Sequence, residues 1–452
     1  MTIEAIQTTA PATRGAGTAD DHVAFCRAVR SRYPLGREGR HGLPTFRRVV
    51  VIVSSSRGGS SLLYELLRST GAFLSLGGEH SVLYKLHGLG LPAGADVFDG
   101  TITDAADPSG FRADLAADVT TGTERTPIRP GDWDPAVLAD RFVRVLAQQW
   151  TPCSLSIENA WAIVHDTIAR WRQRACGPTQ LLMASVRALR LAGWPIDPWY
   201  FDVDPAIVAS AFSELAPPAG PPPGLTRTVE APPFLIPGLA PLPGPADLDR
   251  PLLLKASMDA YRLAALPHLF PQSELTVVHL VRNPAAAING LIDGWRDRGF
   301  FSYNLSDRAE LRIPGYSGTA GWSTQWWNFD LPPGWRDLID RPLPLVCAAQ
   351  WTAAHSHILD ALEATALPAL RVRAEDVMDD ATRQAAIDAI LRHCRLRARR
   401  PARSGVIMAS QRPEPGRWRR RRALLEPIIA DGAVRTCALR LGYDPAASAG
   451  WK

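Results

Sequence analysis

The sequence contains very little lysine. Only Lys85, Lys255 and Lys452 occur among its 50 basic residues, and all the others are arginines. A genome biased toward arginine codons produces this pattern, so a single arginine is weak evidence of ligand recognition and an internal lysine is slightly stronger evidence. The formal net charge of +5 is spread unevenly along the 452 residues.

Cysteine is also scarce, and no two cysteines form a Cys-x-x-Cys pair. The six cysteines are widely scattered, which argues against a zinc site or a disulfide framework and favours reduced thiols in a cytosol. His355 and His357 are two residues apart, which is the wrong spacing for one face of a helix, and no cysteine stands near enough to complete a metal site. We therefore expect no metal.

Long apolar runs are missing as well. No window has the roughly 18 uninterrupted apolar residues that a membrane span needs, so no membrane span is expected. Residues 1–20 have no charged start followed by an apolar run, and they are interpreted as a flexible polar tail of a cytoplasmic protein. Because 46% of the residues are hydrophobic, a packed body is expected, and residues 21–452 are assigned to a single domain.

What the sequence does contain is a series of short apolar runs, each followed by a helical pattern. The runs cover residues 48–53, 252–254 and 275–281, and a later one lies in "LPALRVRAEDVMDD". Apolar runs that alternate with helices predict an α/β fold, a three-layer sandwich whose central parallel sheet is covered on both faces. Such sheets bind ligands beyond the carboxyl ends of their strands.

Two long insertions interrupt this pattern. Residues 85–250 are predicted to be largely helical, and twelve prolines lie between Pro217 and Pro251. This proline-rich stretch is either a linker or a stiff border of a substrate pocket. Residues 296–350 are rich in tryptophan, and Trp326 and Trp327 either form an apolar acceptor surface or belong to the core.

The stretch "VVVIVSSSRGGSSLLYELLRSTG", residues 49–71, is predicted to be a strand, a tight turn and a helix that starts near Ser60. The turn presents free backbone N–H groups at a helix N-terminus, which is a site for an anion. Gly58 and Gly59 let the backbone approach closely, and Arg57 adds a positive charge. The loop lacks the lysine of nucleotide triphosphatases, so we expect cationic charge in place of metal chemistry.

A second anion site is predicted at Arg282-Asn283-Pro284, where another strand meets a helix. Asn283 is expected to cap the helix and Pro284 to occupy its first turn. Arg282 either ends the strand in a surface ion pair or binds a second phosphate. Two anion sites at one sheet edge suggest a nucleotide that is phosphorylated in two places.

These motifs resemble those of sulfotransferases that use 3′-phosphoadenosine 5′-phosphosulfate (PAPS). "SSSRGGSSLL" is similar to their 5′-phosphosulfate loop, and "FPQSELTVVHLVRNPAAAINGL" to their 3′-phosphate element. "LLLKASMDAYRLAALPHLFP", "RVRAEDVMDD", "PEPGRWRRRR" and "LGYDP" also look like segments of this family. The resemblance covers both ends of the chain but not the insertions. The sequence departs from the family at Ser56, where a proline is usual, and at Gly290, where a serine is usual.

The resemblance implies a P-loop NTPase-like sulfotransferase fold. It also implies a transferase that moves the sulfuryl group of PAPS, its co-substrate, to a hydroxyl or amine of a small or medium organic acceptor, such as a secondary metabolite. The residues implied in nucleotide binding are Ser56, Arg57, Gly58, Gly59, Ser60, Ser61, Arg282, Asn289, Gly290, Arg417 and Trp418.

For catalysis, Arg57 would stabilise the leaving group, and Glu79 or the adjacent His80 would be the base. Glu79 can equally be a solvated loop carboxylate or a helix cap. The residues proposed to face the acceptor are Glu79, Lys85, Lys255, Trp326 and Trp327.

Several alternatives stay open. The same fold could belong to a kinase-like enzyme, which magnesium dependence would reveal, or to a non-catalytic nucleotide binder. Twelve arginines between Arg392 and Arg422 could form a nucleic-acid surface, although no aromatic stacking motif accompanies them. We favour closure over the nucleotide by Arg417, with Arg419 as a second candidate, and a solvated face for the other arginines, and we expect no nucleic-acid partner. The identity of the acceptor and the oligomeric state are left open.

Overall fold

The computed structural model describes residues 46–76, 78–87, 89, 108–119, 157–171, 178–194, 196–201, 203–220, 247–297, 303–306, 308–401 and 414–451, with positions 135, 136, 139 and 142. The predicted tail, residues 1–20, lies outside the described residues. So does most of the proline-rich stretch.

A five-stranded parallel sheet forms the centre of the fold, as the apolar runs predicted. Its strands are β1 (Arg48–Val53), β2 (Leu74–Ser75), β3 (Leu252–Lys255), β4 (Glu274–Val281) and β7 (Ala369–Arg373). They are ordered β2-β3-β1-β4-β7. The register pairs Val51 with Leu254 on one side and with Val277 on the other. A separate antiparallel pair is formed by β5 (Tyr303–Asn304) and β6 (Trp326–Trp327).

In the described ranges before β4, the α-helices are α1 (Ser60–Ser69), α2 (Ser81–Leu86), α3 (Pro108–Asp118), α4 (Ile157–Trp171), α5 (Pro178–Leu191), α6 (Pro205–Ala211), α7 (Asp259–Arg262) and α8 (Leu266–Leu269). Those after β4 are α9 (Pro284–Trp295), α10 (Leu343–Thr365), α11 (Ala374–Met378), α12 (Arg383–His393), α13 (Arg422–Ile429) and α14 (Gly432–Arg440). Short 3-10 helices lie at Pro198–Tyr200, Leu263–Ala265, Trp335–Leu338, Arg417–Arg421 and Pro445–Gly450.

Helices cover both faces of the sheet, so the three-layer α/β prediction is confirmed. Val50 and Ile52 of β1 pack on one face in a cluster that contains residues of α1 and α12. Val49 and Val51 point to the other face, where α3, α7, α8 and part of α10 lie. Alternate residues of one strand therefore fill two cores, as a strand buried on both sides requires.

The two insertions form cores in different ways. Within the first, α4, α5 and α6 enclose a hydrophobic cluster of their own. The second packs on α9, because Trp327 and Trp335 join the cluster that holds Ile288 and Trp295. The close fit is visible at Gly294, where a Cβ atom would lie 2.4 Å from the ring of Phe329. The extent of a single domain over residues 21–452 stays a prediction.

Within the described ranges, no helix combines the length and the apolar character that crossing a membrane requires. Cys347, Cys394 and Cys437 are buried free thiols.

Candidate functional site

The predicted anion loop lies between the end of β1 at Val53 and the start of α1 at Ser60. The turn is closed by a hydrogen bond of 3.1 Å from the Gly58 N–H to the Ser55 carbonyl, and α1 begins with one of 3.2 Å from the Leu63 N–H to the Gly59 carbonyl. Arg57 has φ 61° and Gly59 has φ 95°, so two of the turn's residues are left-handed. The sequence predicted this turn and the helix start correctly.

The two glycines of the loop are constrained in different ways. A Cβ atom on Gly58 would lie 2.1 Å from the Ser54 hydroxyl oxygen and 2.9 Å from the Ser55 carbonyl oxygen, so the space there admits only glycine. At Gly59 the left-handed backbone, with φ 95°, favours glycine, because the nearest atom is a movable methyl group of Met378. Because the turn is tight, the backbone of residues 58–60 lies directly at the N-terminus of α1.

Hydroxyl groups of the loop are buried at the end of β1. The hydroxyl oxygens of Ser54 and Ser55 have no hydrogen-bond partner among the described residues. Ser56 is also buried, and its side chain interacts with the Asp330 carboxylate, to which the Tyr261 hydroxyl donates a hydrogen bond of 2.5 Å. Burial raises the pKa of Asp330, and these two hydrogen bonds oppose the rise. Orphaned buried hydroxyls are rare, and an anion in the loop would accept hydrogen bonds from them.

Three arginines from three different elements meet at this edge of the sheet. Arg282, directly after β4, donates a hydrogen bond of 3.1 Å from Nη1 to the carbonyl of Arg57. Burial and the neighbouring Arg282 lower the pKa of Arg57 to about 10. Burial and the nearby Arg417 likewise lower the pKa of Arg282. We call Arg57, Arg282 and Arg417 the arginine cluster. Their mutual repulsion is what an anion would relieve.

The arginine cluster also has acidic neighbours. Asp293 of α9 forms an ion pair of 2.5 Å with Arg417 and one of 2.7 Å with Arg421. Arg421 also donates a hydrogen bond of 2.8 Å to the side-chain oxygen of Asn289. The predicted nucleotide residue Asn289 is therefore buried beneath Arg421 and connected to the 3-10 helix that carries Arg417.

The cap of α9 is the one predicted. The Asn283 side chain accepts a hydrogen bond of 2.8 Å from the Ala286 N–H, and Pro284 is the first residue of the helix. Glu375 accepts hydrogen bonds from the backbone and the side chain of Asn283, at 2.9 Å and 2.7 Å. Two turns along, Gly290 faces the arginine cluster, because a Cβ atom there would lie 3.5 Å from Arg57 Cβ and 3.9 Å from Arg282 Nη1.

Glu79 and Lys255 form an ion pair beside the loop. The Lys255 ammonium contacts the Glu79 carboxylate and also lies 3.2 Å from the hydroxyl of Ser61, in the first turn of α1. The N–H of Ser257 donates a hydrogen bond of 3.2 Å to the second oxygen of Glu79. Lys255 is nearly buried, whereas the Glu79 side chain is 27% exposed. The structure thus brings together two predicted acceptor-side residues and the loop.

His80 lies in a different environment from Glu79. Its side chain is fully buried, and Nε2 lies 3.2 Å from the Asp259 carboxylate and 3.0 Å from the Tyr84 hydroxyl. The His80 imidazole therefore interacts with the buried side chains of Asp259 and Tyr84, while the neighbouring carboxylate of Glu79 reaches solvent.

Three predicted tryptophans are core residues in this structure. Trp418 is 1% exposed and its ring centroid lies 6.4 Å from that of Trp451. Trp326 and Trp327 are 3% and 0% exposed. Of the two alternatives for Trp326 and Trp327, the structure shows the core. Lys85 lies in α2, and its side chain is outside the described part of the chain.

Sequence reasoning missed the acidic residues of the site, namely Asp259, Asp293, Asp330 and Glu375. Asp259 had a positional signal, since it follows β3 at the carboxyl edge of the sheet. Asp293 had a second one, because it lies four residues after Asn289 on the same helix face. Asp330 follows the short strand β6 but is far in the sequence from every strand of the central sheet, and it carries no such signal.

The fold and this geometry define an α/β protein with a glycine-containing loop–helix turn and buried arginines at the carboxyl edge of a parallel sheet. Within the described residues, no group of three His, Cys, Asp or Glu side chains is arranged to hold a metal ion.

Comparisons with known proteins give solved structures only. No family model matches the chain, and no curated protein does. The chain is similar to the sulfotransferase domain from the curacin biosynthetic pathway, at 11% identity and a TM-score of 0.35 over 88% of this chain and 98% of that one. It is also similar to the sulfotransferase domain from the Synechococcus PCC 7002 olefin synthase, at 13% identity and a TM-score of 0.28 over 79% and 76% of the two chains.

Proposed function

We propose that this protein is a sulfotransferase that moves the sulfuryl group of PAPS to a hydroxyl or amine of a small organic acceptor. One observation carries the proposal: the arginine cluster faces a loop with orphaned hydroxyls and free helix N–H groups. Such a site suits a ligand with several phosphate-like groups, because each charge finds a cation or a set of donors. The motif resemblance adds that the ligand is PAPS.

In this proposal the residues divide into two anion-binding groups. The loop from Ser56 to Ser61, with its two glycines, would hold the 5′-phosphosulfate. Arg282 would hold the 3′-phosphate, next to the backbone of Gly290, and Arg417 would close over the nucleotide. Lys255 lies between the loop and Glu79, and its position 3.2 Å from the Ser61 hydroxyl would let its ammonium reach the transferred group.

The chemistry would be an in-line displacement, in which the acceptor oxygen attacks sulfur while the bond to the phosphate oxygen breaks. Arg57 would stabilise the charge that develops on the leaving phosphate. Glu79 would take the acceptor proton, since its carboxylate is partly exposed and is oriented by Lys255 and by the Ser257 N–H. His80 is fully buried against Asp259, so between the two candidates we propose Glu79 as the base.

The decisive experiment is calorimetric titration with the product nucleotide 3′-phosphoadenosine 5′-phosphate, alongside ADP and ATP with magnesium. We expect binding of the bisphosphate without magnesium and a loss of roughly 10- to 100-fold in affinity in Arg282→Ala, since a charge-assisted contact is removed. Preference for ATP with magnesium would favour the kinase-like alternative. Equal affinity of wild type and Arg282→Ala would contradict the assignment of the second anion site.

Turnover separates an enzyme from a nucleotide binder of the same fold. PAPS is incubated with a panel of phenols, sugars and alkyl alcohols, and release of the bisphosphate is followed. Glu79→Gln is expected to reduce the rate about 100-fold, because glutamine cannot take the acceptor proton and the ion pair with Lys255 is lost. Nucleotide affinity should be unchanged, because the arginine cluster is untouched. Binding without any turnover across the panel would support the non-catalytic alternative.

A further inference from the structure

A single buried carboxylate connects the segments that carry Glu79 and Lys255. The Oδ1 atom of Asp259 accepts a hydrogen bond of 2.8 Å from the Tyr84 hydroxyl and lies 3.2 Å from Nε2 of His80, which donates to it. The Oδ2 atom accepts one of 3.0 Å from the Ala256 N–H. We call Asp259, His80, Tyr84 and the Ala256 N–H the Asp259 network. It joins the start of α2 and the end of β3 through the first residue of α7.

The Asp259 network is one residue away from both members of the ion pair. His80 directly follows Glu79, and Ala256 directly follows Lys255. Ser257, next along the chain, donates its N–H to Glu79. The backbone on either side of the pair is therefore fixed through the same carboxylate. A displacement of that carboxylate would shift both side chains together.

Burial makes this connection strong. The side chains of Asp259 and His80 are both fully buried, and Tyr84 is buried as well. Burial and the nearby Asp259 raise the pKa of Tyr84 well above its usual value, so its hydroxyl keeps the proton that it donates. The guanidinium of Arg262 lies 4.6 Å from the centre of the Tyr84 ring, and its positive charge opposes the rise in the pKa of Tyr84. A buried carboxylate needs such saturation by donors, and removing them is costly.

We propose that Asp259 is a positioning residue, which holds the Glu79–Lys255 ion pair in its working geometry through His80 and the Ala256 N–H. Its influence on catalysis rests on the proposed function, whereas its influence on the geometry of the pair does not. The imidazole of His80 then has a role of its own, as a hydrogen-bond donor to Asp259.

The chain contains a matched control in His87 and Asp114. These side chains also form a buried pair, with 2.7 Å between His87 Nε2 and Asp114 Oδ2. The rings of His80 and His87 both lie near the ring of Phe111, but Asp114 belongs to α3, an element that carries neither Glu79 nor Lys255. Asp114→Asn therefore imposes a similar loss of a buried charged acceptor on a different element.

A double-mutant cycle on thermal stability tests the positioning without any assay of activity. Lys255→Met is introduced into wild type, Asp259→Asn and Asp114→Asn, and the melting temperature of each protein is measured. The expected melting-temperature loss from Lys255→Met is the same in wild type and Asp114→Asn, and less than half as large in Asp259→Asn, because residues that share a network are non-additive. Equal losses in all three backgrounds overturn the proposal. If Asp259→Asn does not fold, Tyr84→Phe removes one donor from the network and takes its place.

The kinetic arm uses the complete protein with PAPS and an acceptor from the panel. Asp259→Asn is expected to lower kcat about 10- to 100-fold, since a small misplacement of catalytic groups has effects of this size. The dissociation constant of the bisphosphate should stay within about twofold, because the arginine cluster is untouched, and Asp114→Asn should leave kcat within about twofold. A fall in kcat of the same size in Asp114→Asn contradicts a specific role for Asp259. If wild type turns over no acceptor, the proposed function fails, and the stability cycle alone decides the positioning.

Discussion

At the end of β1 and β4, burial and the proximity of like charges lower the pKa values of Arg57 and Arg282. In the sheet, β1 lies between β4 and β3. Shortly after the end of β3, Asp259 accepts hydrogen bonds from several donors and is fully buried. In the first region like charges are held together, with Asp293 and Glu375 outside them. In the second region one charge is saturated by partners.

The arginine cluster has the electrostatics of a ligand-binding region, and the Asp259 network has those of a structural support. Like charges held together raise the free energy of the ligand-free protein, and an anion lowers it again, so this arrangement favours binding at the expense of stability. A saturated buried carboxylate does the reverse, because its loss leaves donors unpaired. Removal of the Arg57 charge should therefore stabilise the free protein, whereas Arg417 is paired with Asp293 and its loss should not. Substitutions in the Asp259 network should destabilise the protein.

The largest expected effect is that of Arg57→Gly. Arg57 has φ 61°, a conformation that glycine adopts without strain, and burial and then the neighbouring Arg282 disfavour its charge. We expect the free energy of unfolding to rise by about 1 kcal/mol while turnover of PAPS falls about 100- to 1,000-fold, the size of effect that loss of one electrostatic stabiliser has. Thermal melting and steady-state kinetics measure the two changes.

Arg57→Ala is the matched control for this variant, since it removes the charge but keeps a Cβ atom at the left-handed position. It should lose as much turnover as Arg57→Gly and gain less stability. If both variants melt below wild type, the arginine cluster does not destabilise the free protein, and the contrast between the two regions is lost.

Much of the scaffold could be predicted from local sequence patterns. The strands at 48–53 and 252–255, the start of α1 at Ser60 and the cap of α9 at Asn283 follow from apolar runs, helix periodicity and capping chemistry, all of which act within about ten residues. The contacts between Lys255 and Glu79 and between Asp330 and Tyr261 join residues that are distant in the sequence. Such pairs depend on the tertiary arrangement, and a single sequence does not encode them in any local pattern.

A third buried pair extends the comparison to the scaffold. Nε2 of His279 on β4 lies 3.0 Å from Nδ1 of His355 on α10, and burial lowers the pKa of His355 to about 3 and that of His279 well below its usual value. Because the unfolded chain binds these protons near pH 6.5 and the folded protein does not, stability is complete above pH 6.5 and falls as the pH drops toward 3. His355 alone should lower the free energy of unfolding by about 2 kcal/mol at pH 5 relative to pH 7.

The measurement is denaturant unfolding of wild type and His355→Gln between pH 7 and pH 5. The variant should start from lower stability at pH 7 and lose about 2 kcal/mol less than wild type on acidification, because glutamine has no proton to bind. Parallel pH dependence in the two proteins would show that His355 is protonated in the folded state. Affinity for the bisphosphate at pH 7 should be the same in both, because neither histidine belongs to the arginine cluster.

The smallest expected effect, and the sharpest test of the arginine cluster, is that of Gly290→Ser. A Cβ atom at position 290 meets Arg57 Cβ at 3.5 Å and Arg282 Nη1 at 3.9 Å, which are ordinary contacts, so the side chain fits beside the predicted 3′-phosphate site. We expect a gain of roughly 0.5 kcal/mol in stability from replacing a helical glycine. We also expect about a threefold gain in affinity for the bisphosphate, from one added hydroxyl donor.

Two further variants on the same helix separate these contributions. Gly290→Ala should gain the same stability as Gly290→Ser but no affinity for the bisphosphate, because alanine lacks the hydroxyl. Gly294→Ala should lower stability by about 1 to 3 kcal/mol, since its Cβ atom would lie 2.4 Å from the Phe329 ring. Equal affinities of Gly290→Ser and Gly290→Ala would place the second phosphate away from position 290, on the side of Arg282 that faces Arg417. The arginine cluster would then bind its anion through charge alone, with α9 contributing only the scaffold on which Arg282 is held.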